Sequence, residues 1–290
     1  MDQTSPAPPP ALSEMWHPAG GASGHIAGDH RTAVIGNATQ SFPWASVTKL
    51  ITAHAALIAV EEGVVSLGDE IRPFRGLTVA HALAHAGGIA FDEPFSIGQP
   101  GLKRQYSNAA IRLVADHVQR RAGMPFADYV HDGIIEPLKL VGVRWSDPAA
   151  GASGTINDLI ELARELLRPR LIDHDTLTKA TQPWWPNLDG IVPGFGMQRP
   201  CPWGLGFEIR GTKEPHWMGR SLSPQSFGHF GQSGAMLAVD PARSEAWCSL
   251  SPQPFGAWAA TAWPAFMDNV VDDLISRPAL CGTPPQDWIW

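Results

Sequence analysis

The amino-acid sequence predicts an α/β fold of the α+β type, in which an antiparallel sheet built from both chain ends is flanked by helices. Short strand-like runs occur early, at 20–27 and 31–37, and again late, at 204–210, 234–240 and 245–250. The long stretch between them has mostly helical periodicity. The simplest architecture pairs the early and late strands in one sheet and inserts a mostly helical subdomain between them.

We therefore expect a single domain with two interleaved parts. Residues 14–45 and 200–290 would form the sheet subdomain, and residues 46–199 would form the mostly helical subdomain. A catalytic cleft is expected at the junction of the two parts. The proline-rich residues 1–13 are expected to form a disordered tail.

Capping and turn residues predict where the individual elements begin and end. Asp29 and His30 separate the first two strand-like runs, as in a hairpin turn. An apolar helix then extends from residue 46 to about Glu62, where Gly63 is a suitable C-cap. A loop rich in Pro, Gly and Trp is expected over 183–203. Further helices are predicted at 77–86, 107–122, 125–136, 154–168, 173–182 and 257–276.

The composition is that of a globular protein and argues against nucleic-acid and membrane partners. Of the 290 residues, 44% are hydrophobic and 17% are charged, the formal net charge is −7, and basic residues form no run. The first residues do not resemble a signal peptide, and the longest mostly apolar stretch is too short to span a bilayer. Three widely spaced cysteines favour free thiols in a reducing compartment. We therefore expect a cytoplasmic protein, and the oligomeric state stays open.

A serine and a lysine, Ser46 and Lys49, stand one helical turn apart at the start of the apolar helix. Residues i and i+3 share a helix face, so the amine can lie beside the hydroxyl. Desolvation lowers the pKa of a buried lysine towards neutrality, and such an amine can take the proton of a serine nucleophile. The alternative is an N-capping serine followed by a solvated lysine.

A second segment places Tyr106 and Asn108 one residue apart, just before a predicted helix. The phenol can pass a proton to a leaving group, and the amide can hold Lys49 or a substrate carbonyl. The alternative is a turn with a buried tyrosine and an asparagine cap.

The third segment is His229-Phe230-Gly231, followed by Gln232, and it lies just before an apolar strand. A glycine at this place would allow a substrate or another backbone segment to approach closely. The histidine and the glycine are therefore candidate substrate-binding residues.

In this order, the three segments resemble the superfamily of serine β-lactamases, penicillin-binding DD-peptidases and related esterases, most closely its class C-like branch. Residues 83–89 are similar to the LxHxSG signature of that superfamily, and residues 203–207 are similar to its YGLGW strand. Residues 136–142 look like its PLGM region. The resemblance extends from about residue 20 to residue 275 and implies the same fold.

The resemblance implies a role for each matching residue. Ser46 would be the acylated nucleophile, and Lys49 and Tyr106 would share the general acid and base work. Asn108 would hydrogen-bond the substrate or Lys49. The backbone N–H groups of Ser46 and Gln232 would form the oxyanion hole, since a tetrahedral oxyanion needs two converging donors.

One departure from the superfamily pattern bears on the substrate. His229 and Phe230 stand where penicillin-recognising members often carry Lys and Thr, which help to bind the substrate carboxylate. A mostly neutral histidine and an apolar phenylalanine offer a poorer carboxylate site. We therefore predict a serine hydrolase without a cofactor, with a carboxylesterase acting on short or medium acyl esters favoured. An amidase, a D-amino-acid peptidase, a weak β-lactamase and a silent binding protein of the same fold are the alternatives.

Other motifs give weaker signals. His81 and His85 have a spacing that can bind zinc, but the Glu of His-Glu-x-x-His is absent, so no metal site is predicted. No Gly-x-Ser-x-Gly occurs, which argues against the nucleophile elbow of an α/β-hydrolase. Four tryptophans could line an apolar acyl pocket: Trp44, Trp184, Trp185 and Trp217.

Overall fold

A six-stranded antiparallel sheet forms the centre of the protein in a computed structural model that describes residues 20–28 and 31–276. The expected tail at 1–13 and the expected turn at 29–30 lie outside the described residues. The strands are β1 (Ala22–Ile26), β2 (Thr32–Gly36), β3 (Phe42–Pro43), β4 (Ser153–Gly154), β5 (Gly190–Val192), β6 (Gly196–Gln198), β7 (Glu208–Ile209), β8 (Phe227–Phe230), β9 (Met236–Asp240) and β10 (Glu245–Leu250). The order in the sheet is β2-β1-β10-β9-β8-β7.

The strands that come first and last in the chain, β1 and β10, pair with each other, which confirms the expectation that both chain ends build the sheet. β1 runs antiparallel to β10, with Ala22 opposite Leu250 and Ile26 opposite Ala246. The remaining strands form two short pairs, β3 with β4 and β5 with β6.

Helices cover both faces of the sheet, as expected for an α+β fold. The helices are α1 (Thr48–Glu61), α2 (Val79–Leu83), α3 (Asn108–Ala122), α4 (Phe126–Val130), α5 (Ile156–Leu167), α6 (His174–Ala180) and α7 (Ala257–Ser276). α5 packs against β1, β9 and β10. Gly24 makes this approach possible, because a Cβ at that position would lie 2.6 Å from Ile160 Cδ1. On the other face, Trp263 and Phe266 of α7 pack with Phe230 and Trp247.

Side-chain caps begin the helices where the sequence indicates. Ser107 accepts a hydrogen bond from Ala110 N at 2.9 Å and so starts α3 one residue after Tyr106. Thr155 and Asp158 form a capping box at the start of α5. After α1, Gly63 adopts a positive φ of 71°, the left-handed conformation that commonly ends a helix.

Three predicted elements differ from the structure. The expected loop at 183–203 contains the β5–β6 hairpin. The expected strand at 204–210 is reduced to Glu208–Ile209, and Gly206 before it has a positive φ of 88° that a continuous strand would not permit. β8 was not predicted as a strand, because its sequence Phe-Gly-His-Phe lacks the polar alternation of a half-exposed strand and is buried throughout.

Among the described residues, no helix combines the length and apolar character needed to cross a bilayer.

Candidate active site

Ser46 lies in a tight turn between the sheet side and the helical side of the molecule. Residues Ala45–Val47 form a 3-10 turn that leads directly into α1. Ala45 has a positive φ of 45°, which is unusual for a residue with a side chain. Trp44 is fully buried before the turn, and its indole N–H donates to the Gly154 carbonyl at 3.3 Å. These contacts hold the Ser46 hydroxyl, which remains partly exposed, at the start of a helix.

Lys49 lies beneath Ser46 and is 0% exposed. Its Nζ is 3.1 Å from Ser46 Oγ, 2.7 Å from Asn108 Oδ1 and 2.8 Å from the Ala149 carbonyl oxygen. The sequence alternative of a solvated lysine is therefore wrong. All the polar contacts of this amine are to uncharged groups.

Burial lowers the pKa of Lys49 to about 7, against the opposing charges of Asp147 and Asp92. A neutral amine has two N–H groups and one lone pair. The Asn108 Oδ1 atom and the Ala149 carbonyl can only accept hydrogen bonds, so they take both N–H groups. The lone pair of the neutral amine then faces Ser46 Oγ and can accept the hydroxyl proton.

Tyr106 and Asn108 reach the same point from the start of α3. The Lys49 Nζ lies 4.9 Å from the centre of the Tyr106 ring. Burial raises the pKa of the Tyr106 phenol well above its usual value, and a hydrogen bond with the Ser46 side chain only partly opposes this. Asn108 donates through Nδ2 to Asp92 Oδ1 at 2.9 Å, which orients its oxygen towards Lys49.

His229 reaches the site from β8 and is neutral. Its Nδ1 lies 2.7 Å from the Phe230 carbonyl, which can only accept, so Nδ1 carries the proton. The Nε2 lone pair then faces the Tyr106 hydroxyl at 3.4 Å. Burial lowers the pKa of His229 to about 3, and the nearby Lys49 acts in the same direction. This histidine is 2% exposed and presents no cation to a substrate.

Phe230 lies outside the cleft, because successive side chains of a strand point to opposite faces. Its ring packs against Phe255, with centroids 4.8 Å apart, and against Trp263 at 5.9 Å. Phe230 therefore brings no hydrogen-bonding side chain to the cleft.

Gly231 brings the end of β8 against the Ser46 turn. A Cβ at this position would collide with the Trp44 carbonyl oxygen and would lie 3.2 Å from the Ser46 N atom. This approach places the Ser46 N–H group beside Gly231, and the Gln232 N–H group follows Gly231 in the chain. Ser46 is in the first turn of its helix, where N–H groups have no acceptor within the helix. In the described part of the chain no loop acceptor engages either N–H group.

We expect Gly231→Ala to lower kcat at least about 10-fold, because the added methyl group must push β8 away from the Ser46 turn. Overpacking of this kind also costs about 1–3 kcal/mol of stability. Steady-state kinetics and urea denaturation of the variant measure the two effects. Gly68→Ala is a suitable control, because Gly68 is exposed and a Cβ there lies 3.8 Å from Ser66 Oγ, which is an ordinary contact. Equal kinetics for Gly231→Ala and the control would contradict the close approach.

Two aromatic residues that sequence analysis did not assign to the site support the Tyr106 ring. Trp203 packs edge-on against Tyr106, His85 and His229, with centroids 5.9, 5.0 and 5.8 Å apart. His85 Nδ1 accepts a hydrogen bond from Ser107 N at 3.2 Å, and burial lowers its pKa well below the usual value. His85 therefore positions the segment that carries Tyr106.

The residues considered for zinc serve other purposes. His85 Nδ1 accepts the hydrogen bond from Ser107 N. His81 Nδ1 lies 2.8 Å from Thr78 Oγ1, and its ring stacks on Trp185 at 4.2 Å. The two histidines therefore bond to different partners, and zinc chemistry gains no support from their spacing.

Two of the four tryptophans proposed for an acyl pocket are core residues. Trp44 and Trp217 are fully buried, and Trp217 donates its indole N–H to Glu208 at 2.8 Å. Trp184 and Trp185 are partly exposed and pack together, with centroids 5.8 Å apart. Arg104 holds both of their carbonyl oxygens, at 2.7 and 3.0 Å.

Comparisons with known proteins identify the family and the fold. A protein-family model described as Beta-lactamase matches residues 29–271. A β-lactamase crystal structure from Mycobacterium bovis is 41% identical and superposes with a TM-score of 0.87, covering 91% of this chain and 98% of that one. Simvastatin synthase (LovD) from Aspergillus terreus is 15% identical with a TM-score of 0.75, covering 89% of this chain and 94% of that one, which shows the fold alone.

A β-lactamase from Yersinia enterocolitica is also related in sequence. It is 26% identical over a segment that covers 34% of this chain and 32% of that protein, so the match spans about a third of the relative. The family match covers most of the chain, including the Ser46–Lys49 turn and every strand of the sheet except β1. The chain therefore belongs to the β-lactamase family and has its serine-hydrolase fold.

Proposed function

We propose that the protein is a carboxylesterase that forms an acyl-enzyme on Ser46. The observation that carries this proposal is the buried Lys49 amine, whose lone pair faces the Ser46 hydroxyl when the amine is neutral. A base with a pKa near 7 matches the ambient pH, which is the condition for efficient general-base catalysis.

Acylation follows from the positions of the three side chains. Lys49 takes the Ser46 proton as Oγ attacks the ester carbonyl, and the carbonyl oxygen becomes an oxyanion between the N–H groups of Ser46 and Gln232. Tyr106 has a raised pKa and is protonated, so it donates its proton to the departing alkoxide oxygen. The proton on Lys49 then returns to Tyr106, and the alcohol leaves.

Deacylation uses the same groups with water in place of the alcohol. As water attacks the acyl carbonyl, its proton passes to the Tyr106 oxygen while the Tyr106 proton passes to neutral Lys49, and Lys49 then gives a proton to Ser46 Oγ as the acyl group leaves. Microscopic reversibility makes the acid of the first step the base of the second. The carboxylic acid is released and the resting site is restored.

The surroundings of Tyr106 favour an apolar alcohol group. The Phe91 ring stacks beside the Tyr106 ring, with centroids 6.1 Å apart, and lies where a group leaving next to Tyr106 would pass. Phe91 belongs to a loop with four large exposed apolar side chains, at 51–70% exposure: Phe91, Phe95, Ile97 and Leu102. Apolar side chains this exposed are stabilised when a ligand covers them.

The described groups near the site offer poor recognition of a substrate carboxylate. His229 is neutral and buried. Lys213 lies 5.6 Å from the Trp203 ring, but it is buried and bonded to Glu208 at 2.8 Å. A β-lactam therefore loses the charge-assisted hydrogen bond that a cleft cation would provide.

We expect an aryl butyrate to react much faster than a chromogenic cephalosporin. A missing charge-assisted hydrogen bond of about 1.5–3 kcal/mol lowers kcat/KM for the cephalosporin roughly 10- to 150-fold relative to an enzyme with a cleft lysine. Steady-state kinetics on both substrates measure the preference. A matched control is an aryl butyrate with a carboxylate on the ring, which should react no faster than its uncharged counterpart.

The results of these assays distinguish the proposed esterase from a β-lactamase, a peptidase and a silent binding protein. A preference for the cephalosporin would replace the esterase proposal with a β-lactamase. Turnover of D-amino-acid amides above esters would indicate a peptidase. Failure of all substrates, together with no labelling of Ser46 by a fluorophosphonate, would indicate a silent binding protein.

We also propose a reducing, cytoplasmic compartment. Cys201 and Cys248 are buried, free thiols, and burial raises both of their pKa values. Thiols that stay protonated and buried need no disulfide partner. The third cysteine, Cys281, lies outside the described residues.

A further inference from the structure

The two acceptors that hold Lys49 are themselves held by three charged residues that the mechanism above does not use. Asn108 Nδ2 donates to Asp92 Oδ1 at 2.9 Å. On the other side, Asp147 Oδ1 accepts the backbone N–H groups of Ala149 and Ala150, both at 2.9 Å. The loop that carries the Ala149 carbonyl is therefore shaped by the Asp147 carboxylate.

Arg112 joins the two carboxylates. Its Nε donates to Asp147 Oδ2 at 2.7 Å and its Nη2 to Asp147 Oδ1 at 3.5 Å. Its Nη1 lies 3.4 Å from both the Oδ1 atom and the carbonyl oxygen of Asp92. The bonds thus close a ring, here called the Lys49 circuit, with six members: Lys49, Asn108, Asp92, Arg112, Asp147 and Ala149.

We propose that Asp92, Arg112 and Asp147 are positioning residues that fix the direction of the Lys49 lone pair towards Ser46. This inference rests on the proposed function, in which Lys49 is the base. Both N–H groups of the neutral Lys49 amine donate to acceptors that belong to the circuit, Asn108 Oδ1 and the Ala149 carbonyl oxygen. If either acceptor turns away, the lone pair no longer points at the hydroxyl, although the fold around it can persist.

The guanidinium of Arg112 holds the two carboxylates in a fixed geometry better than a lysine amine would. A guanidinium binds a carboxylate in a planar, two-bond geometry, whereas an ammonium is a point charge without that directionality. Arg112 also lies one helical turn after Asn108 on α3, so the same helix places the amide and its supporting cation. Thr52 on α1 adds a bond to the Pro148 carbonyl at 2.6 Å and fastens the loop to the helix of Lys49.

The charges of the circuit also act on Lys49 with opposite signs. After burial, Asp147 raises the pKa of Lys49, Arg112 lowers it and Asp92 raises it. The other titratable groups that face the amine are uncharged in the resting site: Tyr106, His85 and His229. Removing Arg112 should therefore raise the pKa of Lys49, and removing the charge of Asp147 should lower it.

The test is the rate at which a fluorophosphonate labels Ser46, measured between pH 5 and 9 by intact mass, a range of about two units on each side of neutrality. This rate should rise with pH as Lys49 loses its proton. Arg112→Gln should move the midpoint to higher pH by about 0.5–1 unit, and Asp147→Asn should move it to lower pH by a similar amount. Arg112→Lys should keep the midpoint and lower the plateau, because it retains the charge and loses the two-bond geometry.

The control is Arg164→Gln, which removes the same charge from an exposed pair on α5, where Arg164 Nε lies 3.2 Å from Glu161. Its profile should match that of the wild type. Unchanged midpoints for Arg112→Gln and Asp147→Asn, or an Arg112→Lys plateau equal to that of the wild type, would overturn the inference and leave a purely structural role. Absence of labelling in the wild type would overturn the proposed function as well, so the two failures are distinguishable.

Discussion

Replacing Ser46 with alanine is expected to lower kcat for an aryl ester at least about 10³-fold, because the covalent nucleophile is lost. The Ser46 side chain is partly exposed, and its polar contacts are with Lys49, at 3.1 Å, and with Tyr106, both within the cleft, so the variant should fold normally. Steady-state kinetics and circular dichroism measure the two properties. Ser66→Ala, at an exposed turn where the hydroxyl accepts only a bond from Gly68 N, is a matched control.

Labelling gives an independent reading of the same substitution. A fluorophosphonate should add one adduct to the wild type and none to Ser46→Ala. If the alanine variant keeps most of its esterase activity, Ser46 is not the nucleophile. If activity disappears and the adduct remains, another residue is being labelled and the covalent assignment is wrong.

Replacing Lys49 with arginine is expected to abolish ester hydrolysis to a similar extent, at least about 10³-fold. A guanidinium stays protonated above pH 12 and cannot accept the Ser46 proton. Activity of the wild type should fall as the pH drops through about 7, where Lys49 becomes charged, whereas the variant should be inactive at every pH. The pH–rate profile of both proteins measures the difference, and Lys179→Arg on an exposed helix position is the matched control.

Folding has to be checked for this variant, because Lys49 is completely buried and arginine is larger. Lys49→Met, which is close in length and carries no charge, gives a second test of the same idea. It should be equally inactive while remaining folded. Near wild-type hydrolysis by either variant would remove Lys49 from the base network.

Local sequence signals were sufficient for those parts of the site that lie on one element. Ser46 and Lys49 share a helix face, and Ser107 marks the start of α3, so their positions follow from spacing and capping. Gly231 was recognisable as a point of close approach, although nothing in the sequence identifies the Trp44 carbonyl as the group that it approaches.

Groups that meet only through tertiary packing could not be predicted. The Ala149 carbonyl reaches Lys49 from a loop 100 positions away in sequence, which Asp147 shapes, and a backbone oxygen carries no residue signature. Arg112 had one usable signal, its spacing of four residues from Asn108 on the same helix. The face to which Phe230 points could not be predicted, because β8 was not recognised as a strand and the alternation of its side chains was therefore not apparent.

The pairing of β1 with β10 has a consequence for how the protein reaches its native state. His25 and Glu245, which are neighbours in this pair, are 220 positions apart in sequence. Contacts of such long range close a large loop before they contribute stability, and chains dominated by them fold slowly. During synthesis, β1 and β2 leave the ribosome long before β8–β10 exist. The protein is therefore expected to complete its sheet only after translation has passed residue 250, and to depend until then on protection of its unpaired strands from other chains.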